Sequence, residues 1–451
     1  MGEFAPNNTP FPPLTAARDG SNFTYTSLHD RVPHILTDVI NDFYAAIQAS
    51  QDAAAVAEGK QLTAQLSQLK HEMVTDKPLA ALADDGVGDI AQWNSWLARY
   101  FAGASWYSAP FLAWEPYMYR RIATVFGRSA HWRAYDFFAA RKRDTFRASM
   151  AAVAKLCARV DAVVRETRAT DSLVKRHLAF VEVLQASLWG NQTDLSMFPD
   201  LSNARLEEMQ ARISSGENSD RIAANDTDRV WEVVQGVRAG RVDIVLDNAG
   251  FELLQDVLLA HWLVAAGVAA QVVFHAKRIP WYVSDVTGRD FDWLVATLQD
   301  PQAAGASGLA AADAAVLRAL GGQWRRLLDS GVWRVQDELF WTGPLGFRYL
   351  PTAAPDLWAD LCASDLVIFK GDLNYRKLIY DLHWPVSTPF VDAIGPLAAD
   401  GAPPIVALRT AKCDTIVGVD PARAKELFAV RSDWMYSGEY GVIQLSPGRR
   451  R

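Results

Sequence analysis

Six short apolar runs alternating with amphipathic stretches fix what the second half of this 451-residue chain can become. The runs cover residues 242–246, 271–274, 366–369, 405–407, 415–419 and 442–445, and most are rich in Val, Ile and Leu. Largely apolar runs of this length suit strands buried on both faces of a parallel sheet. Helical spacing of apolar residues fills 251–266, 356–363, 374–382 and 421–428. Strands alternating with helices predict an α/β fold, a doubly wound and mainly parallel sheet in an α/β/α sandwich. Residues 332–341 and 347–349 read as an antiparallel addition at the sheet edge.

The first half follows a different period. From Ser27 to about Leu188, apolar residues recur every three or four positions without a β-branched alternating run. That pattern predicts an all-helical N-terminal domain preceding the sandwich. The polar stretch 214–228, with its Ser-Ser-Gly and Asn-Asp-Thr breakers, reads as a connecting loop. The expected division is an extended segment over 1–26, a helical domain over 27–228 and an α/β sandwich over 229–451 that carries the site.

Charge and cysteine usage narrow the partners. A net charge of -7 with scattered Lys and Arg speaks against nucleic acid. Cys157, Cys362 and Cys413 are too few and too dispersed for a disulfide framework or a zinc ribbon, and fit a reducing compartment. The expected location is the cytoplasm, with the nucleus also open. The N-terminus has no apolar signal core, and Gly2 lacks the Ser or Thr a myristoylation signal needs at position 6. Residues 257–276 are nearly charge-free, but Gly267, Gln271 and two histidines favour a helix, a turn and a strand over a membrane span. Asn22 and Asn191 begin glycosylation triplets that mean little without a secretory signal.

The polar residues that stop the apolar runs carry the chemistry. Asp247-Asn248 ends the first run, Asp285 follows the second, Lys370-Gly371-Asp372-Leu373-Asn374-Tyr375-Arg376 ends the third, and Arg409-Thr410-Ala411-Lys412 the fourth. In a parallel sheet the carboxyl ends of the strands open on one edge, where ligands bind. Carboxylates with an amide oxygen suit Mg²⁺ or Mn²⁺, and Arg376, Arg409 and Lys412 suit a phosphate. Asn374 is also placed to cap the following helix, and helix capping is the competing explanation for each cluster taken alone. In the helical half, Glu115 precedes Pro116, read as a helix start, and Arg120-Arg121. A second polar cluster surrounds Asn191 after Leu188-Trp189-Gly190. Capping and turn chemistry compete there too. No dinucleotide fingerprint, Walker loop, nucleophile elbow or His-Glu-x-x-His helix occurs, and His261 and His275 read as packing residues.

Taken in order, residues 246–252, 370–376 and Arg409-Thr410-Ala411-Lys412 resemble the damage-control phosphatases, in the eukaryotic branch with an Arg-Thr-x-Lys motif. Residues 115–121 and Leu188-Trp189-Gly190-Asn191 resemble the N-terminal half of that family. The resemblance implies a helical domain joined to an α/β/α sandwich, and a divalent metal (Mn²⁺, Ni²⁺, Co²⁺ or Mg²⁺) held by Asp247, Asn248 and Asp285. It implies catalysis by those three residues with Lys412. Substrate would contact Asp247, Asn248, Asp372, Leu373, Asn374, Tyr375, Arg376, Arg409 and Lys412, with Glu115 and Asn191 from the helical half. The implied substrates are sugar phosphates such as fructose 1-phosphate and fructose 6-phosphate. Whether Asp247 attacks phosphorus or positions water stays open. Relatives in this branch have also been described as S-adenosylmethionine-dependent protein carboxyl (glutamate) O-methyltransferases, with Glu252 at the cofactor position, and a non-catalytic sugar-phosphate-binding module is a third reading.

Overall fold

The computed structural model describes residues 23–190, 220–305 and 309–448. Its centre is a seven-stranded sheet: β1 (Ile222–Asn225), β2 (Gly240–Val245), β3 (Ala269–His275), β4 (Trp333–Gln336), β5 (Leu366–Lys370), β6 (Ile405–Thr410) and β7 (Gly441–Ser446). The spatial order is β1-β7-β6-β5-β2-β3-β4, and only the β6–β7 pair is antiparallel. From β2 the chain winds outward through β3 and β4, then returns to the other side of β2 as β5. The β2–β5 junction is therefore the topological switch point, where an open α/β sheet has its binding crevice.

Side-chain alternation divides the sheet between two cores. Val245, Val367, Phe369, Ile405 and Ala407 pack with residues from Leu28 to Phe138 of the helical half. Val242, Ile244, Leu246, Leu366, Ile368, Val406 and Leu408 pack on the other face with Phe146 to Leu188 and helix Phe251–Ala265. Because successive strand residues point to opposite faces, each strand feeds both cores. The helices of the first half thus flank the sheet on both sides: Val32–Ala49 and Phe111–Gly127 on one, Met150–Arg168 and Leu173–Leu188 on the other.

Several elements differ from the sequence expectation. Residues 415–419 form no strand. Gly418 and Val419 donate to the carbonyls of Thr388 and Val386, and the Val417 carbonyl accepts from the Gln444 amide. Their apolar character reflects burial against a loop, not a place in the ladder. A strand that the loop expectation missed, β1, takes the edge beside β7, its four residues too short to show a period. The 332–341 stretch supplies β4 as expected, but parallel to β3, and 347–349 is a 3-10 turn. The antiparallel partner is β7. The helix after β5 is Gly371–Leu378, so Asn374 lies inside it instead of capping it. Helix Phe111–Gly127 likewise starts before Pro116 and carries it internally.

Candidate active site at the switch point

After β2 the chain continues as Asp247-Asn248, and the segment leaving β3 folds back against it. Val286 N donates to the Asp247 carbonyl at 2.8 Å and Ala249 N to the Ser284 carbonyl at 2.7 Å, forming a bridge between Asn248 and Asp285. This return requires positive φ at Tyr282 (41°) and Val283 (68°). Such backbone is strained for a bulky and a β-branched residue, and strain of this kind gathers at functional sites. Its effect is to set Asp285, Ser284 and Asn248 side by side.

The neighbouring strand comes as close. Gly371 has φ of 83°, and a Cβ there would stand 1.8 Å from Asp247 Oδ2. Only glycine lets the end of β5 approach the carboxylate of β2. The Asn374 side chain holds the junction from below, donating to the carbonyls of Leu246 (3.0 Å) and Lys370 (2.7 Å).

Both carboxylates are buried and short of positive charge. Burial raises Asp247 well above the ordinary carboxylate range, Asp285 and Glu252 raise it further, and Lys277 and Lys412 partly offset this. Burial also lifts Asp285, to about 6, against the pull of Lys277. Lys277 Nζ stands 3.1 Å from Asp285 Oδ2, yet that oxygen has no hydrogen bond of good geometry. The Asn248 amide nitrogen donates to Asp247 Oδ2 (2.7 Å) and Glu252 Oε2 (2.8 Å), while its oxygen accepts from Ser284 Oγ (2.5 Å). Among the described residues no three His, Cys, Asp or Glu side chains group as a metal site by themselves. The donor set at hand is two carboxylates and an amide oxygen, which fits a hard divalent cation whose shell water completes.

The ends of β5 and β6 are arranged differently. Asp372 Oδ1 accepts from Arg409 Nε (2.8 Å) and Lys412 N (3.0 Å). Although burial acts against it, Arg409 and Arg376 hold this carboxyl below its usual range. The remaining Arg409 nitrogens bond the carbonyls of Thr415 and Cys413, and its guanidinium lies 4.3 Å over the Tyr375 ring. Arg376 is bidentate to Asp381 at 2.6 and 2.8 Å and stacks 3.5 Å over Phe111. Tyr375 is buried with its hydroxyl on Gln444 (2.8 Å), and Leu373 is buried beside it. The Asn374 amide nitrogen, the Tyr375 hydroxyl, Nε and Nη2 of Arg376 and the Arg409 guanidinium are thus committed to protein partners. Lys412 is half-buried, its charge is felt at Asp247, and it forms no ion pair among the described residues.

In the helical half, Glu115 is fully buried and takes Arg31 at 2.7 and 2.6 Å and the Tyr119 hydroxyl at 3.2 Å. Burial pushes that hydroxyl well up, with Glu115 and Asp285 adding to the effect, so this cluster faces the Asp285 side of the crevice. Arg120 instead binds Asp85 and Asp89, and Arg121 binds Glu72, both away from the strand ends. Asn191 lies outside the described residues, as does Asn22. Sequence reasoning gave no role to Lys277, Ser284 or Lys370. Lys277 follows the end of β3 by two residues and Lys370 ends β5, and a lysine closing an apolar run is the available signal.

Buried carboxylates near a half-buried lysine at the switch point of an α/β sheet make an arrangement suited to phosphoryl chemistry. The model of the damage-control phosphatase ARMT1-like domain matches residues 27–427. Damage-control phosphatase ARMT1 of Xenopus tropicalis is 36% identical over 455 residues, covering 96% of this chain and 99% of its own. The Homo sapiens protein of the same name is 32% identical over 450 residues, covering 96% and 98%. A crystal structure of a DUF89 family protein from Pyrococcus horikoshii aligns over 87% of this chain and 93% of its own, at 16% identity and a TM-score of 0.38. This chain belongs to the damage-control phosphatase family, and phosphatase is the enzyme class that membership assigns. Among the described residues no helix is long and apolar enough to cross a membrane.

Proposed function

We propose that this phosphatase is metal-dependent and hydrolyses small sugar phosphates such as fructose 1-phosphate and fructose 6-phosphate in the cytoplasm. The observation that carries the reading is the pair Asp247 and Asp285, set beside Asn248 with their pKa values raised by burial, which the neighbouring lysines only partly offset. A buried carboxylate pair of this kind is stabilised by a cation. A divalent ion bound by Asp247, Asn248 and Asp285 supplies Lewis-acid polarisation of a phosphoryl oxygen.

The chain's own groups do the rest. Lys277 holds Asp285 in place through its 3.1 Å contact. Lys412 offers a mobile ammonium to the charge that grows on the phosphoryl oxygens in the transition state. Asp372, fixed by Arg409 and the Lys412 amide, presents its second oxygen to a sugar hydroxyl. Arg376, Arg409, Asn374 and Tyr375 shape that floor from beneath. Glu115, with Arg31 and Tyr119, forms the opposite wall. The metal is one of Mn²⁺, Ni²⁺, Co²⁺ and Mg²⁺, all accepted by oxygen donors.

A phosphate-release screen of sugar phosphates against these four metals, with Asp247→Ala as control, tests the proposal. Release that needs metal and disappears in the variant supports it. Binding of sugar phosphate without release under any metal would instead favour a binding module.

A further inference from the structure

Behind Asn248 runs a buried chain of charged groups that contributes no donor to the metal set named above. Glu252, in the first turn of helix Phe251–Ala265, is 4% exposed, and its Oε2 accepts from the Asn248 amide nitrogen at 2.8 Å. Its Oε1 faces Lys370 Nζ at 3.8 Å. That ammonium also pairs with Asp256 at 3.1 Å and bonds the Ser187 carbonyl, and the Ser187 hydroxyl donates to Asp256 at 2.6 Å. Gly190 closes the back: a Cβ there would come within 3.1 Å of the Glu252 Cα and 2.6 Å of Gln255 Oε1.

We infer that Glu252 is a positioning residue that sets the Asn248 amide for metal binding, and does not serve as a ligand for a nucleoside cofactor. An asparagine side chain can present either its oxygen or its nitrogen to a cation, and only the oxygen coordinates a hard metal. Two carboxylates, Asp247 and Glu252, grip the nitrogen and turn the oxygen away from themselves, towards Ser284. Without Glu252 the nitrogen keeps one anchor and the amide is free to rotate. Lys370 stands against the far side of Glu252, its Nζ 3.8 Å from Oε1, and Asp256, itself bonded by the Ser187 hydroxyl, holds Lys370. The turn at Trp189-Gly190, a motif otherwise without a role, packs directly on this support. Groups that orient metal ligands from behind commonly matter nearly as much as the ligands.

The inference rests on the metal reading above, and the experiment separates the two. Calorimetric titration of the metal-free, full-length protein with Mn²⁺ is run on the native chain, Glu252→Ala, Glu252→Gln and Asp247→Ala, with S-adenosylmethionine as a second probe. Thermal unfolding of each metal-free variant is recorded alongside. Glu252→Ala should weaken Mn²⁺ binding by roughly 10–100-fold. Glu252→Gln should retain most of the affinity, because its amide oxygen still accepts from Asn248. Native Mn²⁺ affinity in a folded Glu252→Ala variant overturns the inference. If Glu252→Ala does not fold, loss of Mn²⁺ binding in Glu252→Gln as complete as in Asp247→Ala overturns it equally. Binding of S-adenosylmethionine that both Glu252 variants abolish does so too. Unchanged Mn²⁺ binding in Asp247→Ala removes the metal reading itself, and this inference with it.

Discussion

At the ends of β2 and β3, Asp247 and Asp285 are buried with one ion-paired ammonium between them among the described residues, Lys277, and both hold their protons more tightly than ordinary carboxyls. On the neighbouring strands β5 and β6, Asp372 meets Arg409 at 2.8 Å, lies in the field of Arg376 and loses its proton more readily than usual. The two regions share a crevice and a residue type, yet one is short of positive charge and the other is supplied with it. Burial acts on all three carboxyls in the same direction; the number of fixed guanidinium groups decides the sign. The first arrangement is suited to take up a cation from solution. The second is complete within the fold and suited to hold a shape.

The contrast can be broken most sharply at Asp247. Asp247→Ala should lower metal-dependent phosphate release by more than roughly a thousandfold while leaving the fold intact, since on the proposed reading it removes a metal donor worth several kcal/mol to the reaction. A variant that is active with the same metal requirement would end the distinction. Arg409 belongs to the other side. Arg409→Ala removes a buried guanidinium, leaves the half-buried Asp372 with less compensation, and should cost up to about 3 kcal/mol of stability in urea unfolding, the low end for breaking a buried pair. A variant as stable as the native chain but inactive would place Arg409 with the chemistry instead.

Lys412 sits between the two regions and sharpens the comparison. Lys412→Ala should reduce kcat/KM about a hundredfold with little change in unfolding midpoint, because its ammonium has no ion pair among the described residues to lose. The smallest effect is set by pH. Asp285, at about 6, and Asp247, higher than usual, bind protons that a metal must displace. Mn²⁺ affinity should therefore rise with pH through about 6, by about tenfold per unit for each proton released, and rise less steeply once Asp285 has ionised. For the metal-free protein the sign reverses. The native state holds more protons than the unfolded chain between the ordinary carboxyl pKa and about 6, so these groups make it less stable as pH rises through that window. Metal-free unfolding that strengthens over the same window would contradict the raised pKa values.

Much of the fold was legible because period and composition coincide in the core strands. The runs 366–369 and 405–407 are apolar on both faces, as is 242–246 apart from Asp243, and they lie in the interior of the sheet. The method failed where burial and strand pairing part company. Residues 415–419 are apolar yet bond to the 386–388 loop, and Ile222–Asn225 is too short and too polar at its end to be told from a loop. The order of β5 and β3 around β2 was not legible, since strand neighbours that are distant in sequence leave no local trace.

At the crevice, the residue types at the strand ends pointed to a metal and an anion, but not to how each charge is compensated. Arg376 and Arg409 look in sequence like free phosphate ligands; in the fold they are tied to Asp381 and Asp372. Glu252 and Lys370 look like an ordinary helix start and strand end; in the fold they stand behind Asn248. By itself the sequence determined the strands, the helices and the polar residues that stop them, because these follow from spacing and side-chain chemistry along a few turns. Tertiary structure alone decided which carboxylates go short of positive charge, because that depends on the distance to cations brought from other strands and on the depth at which water is lost.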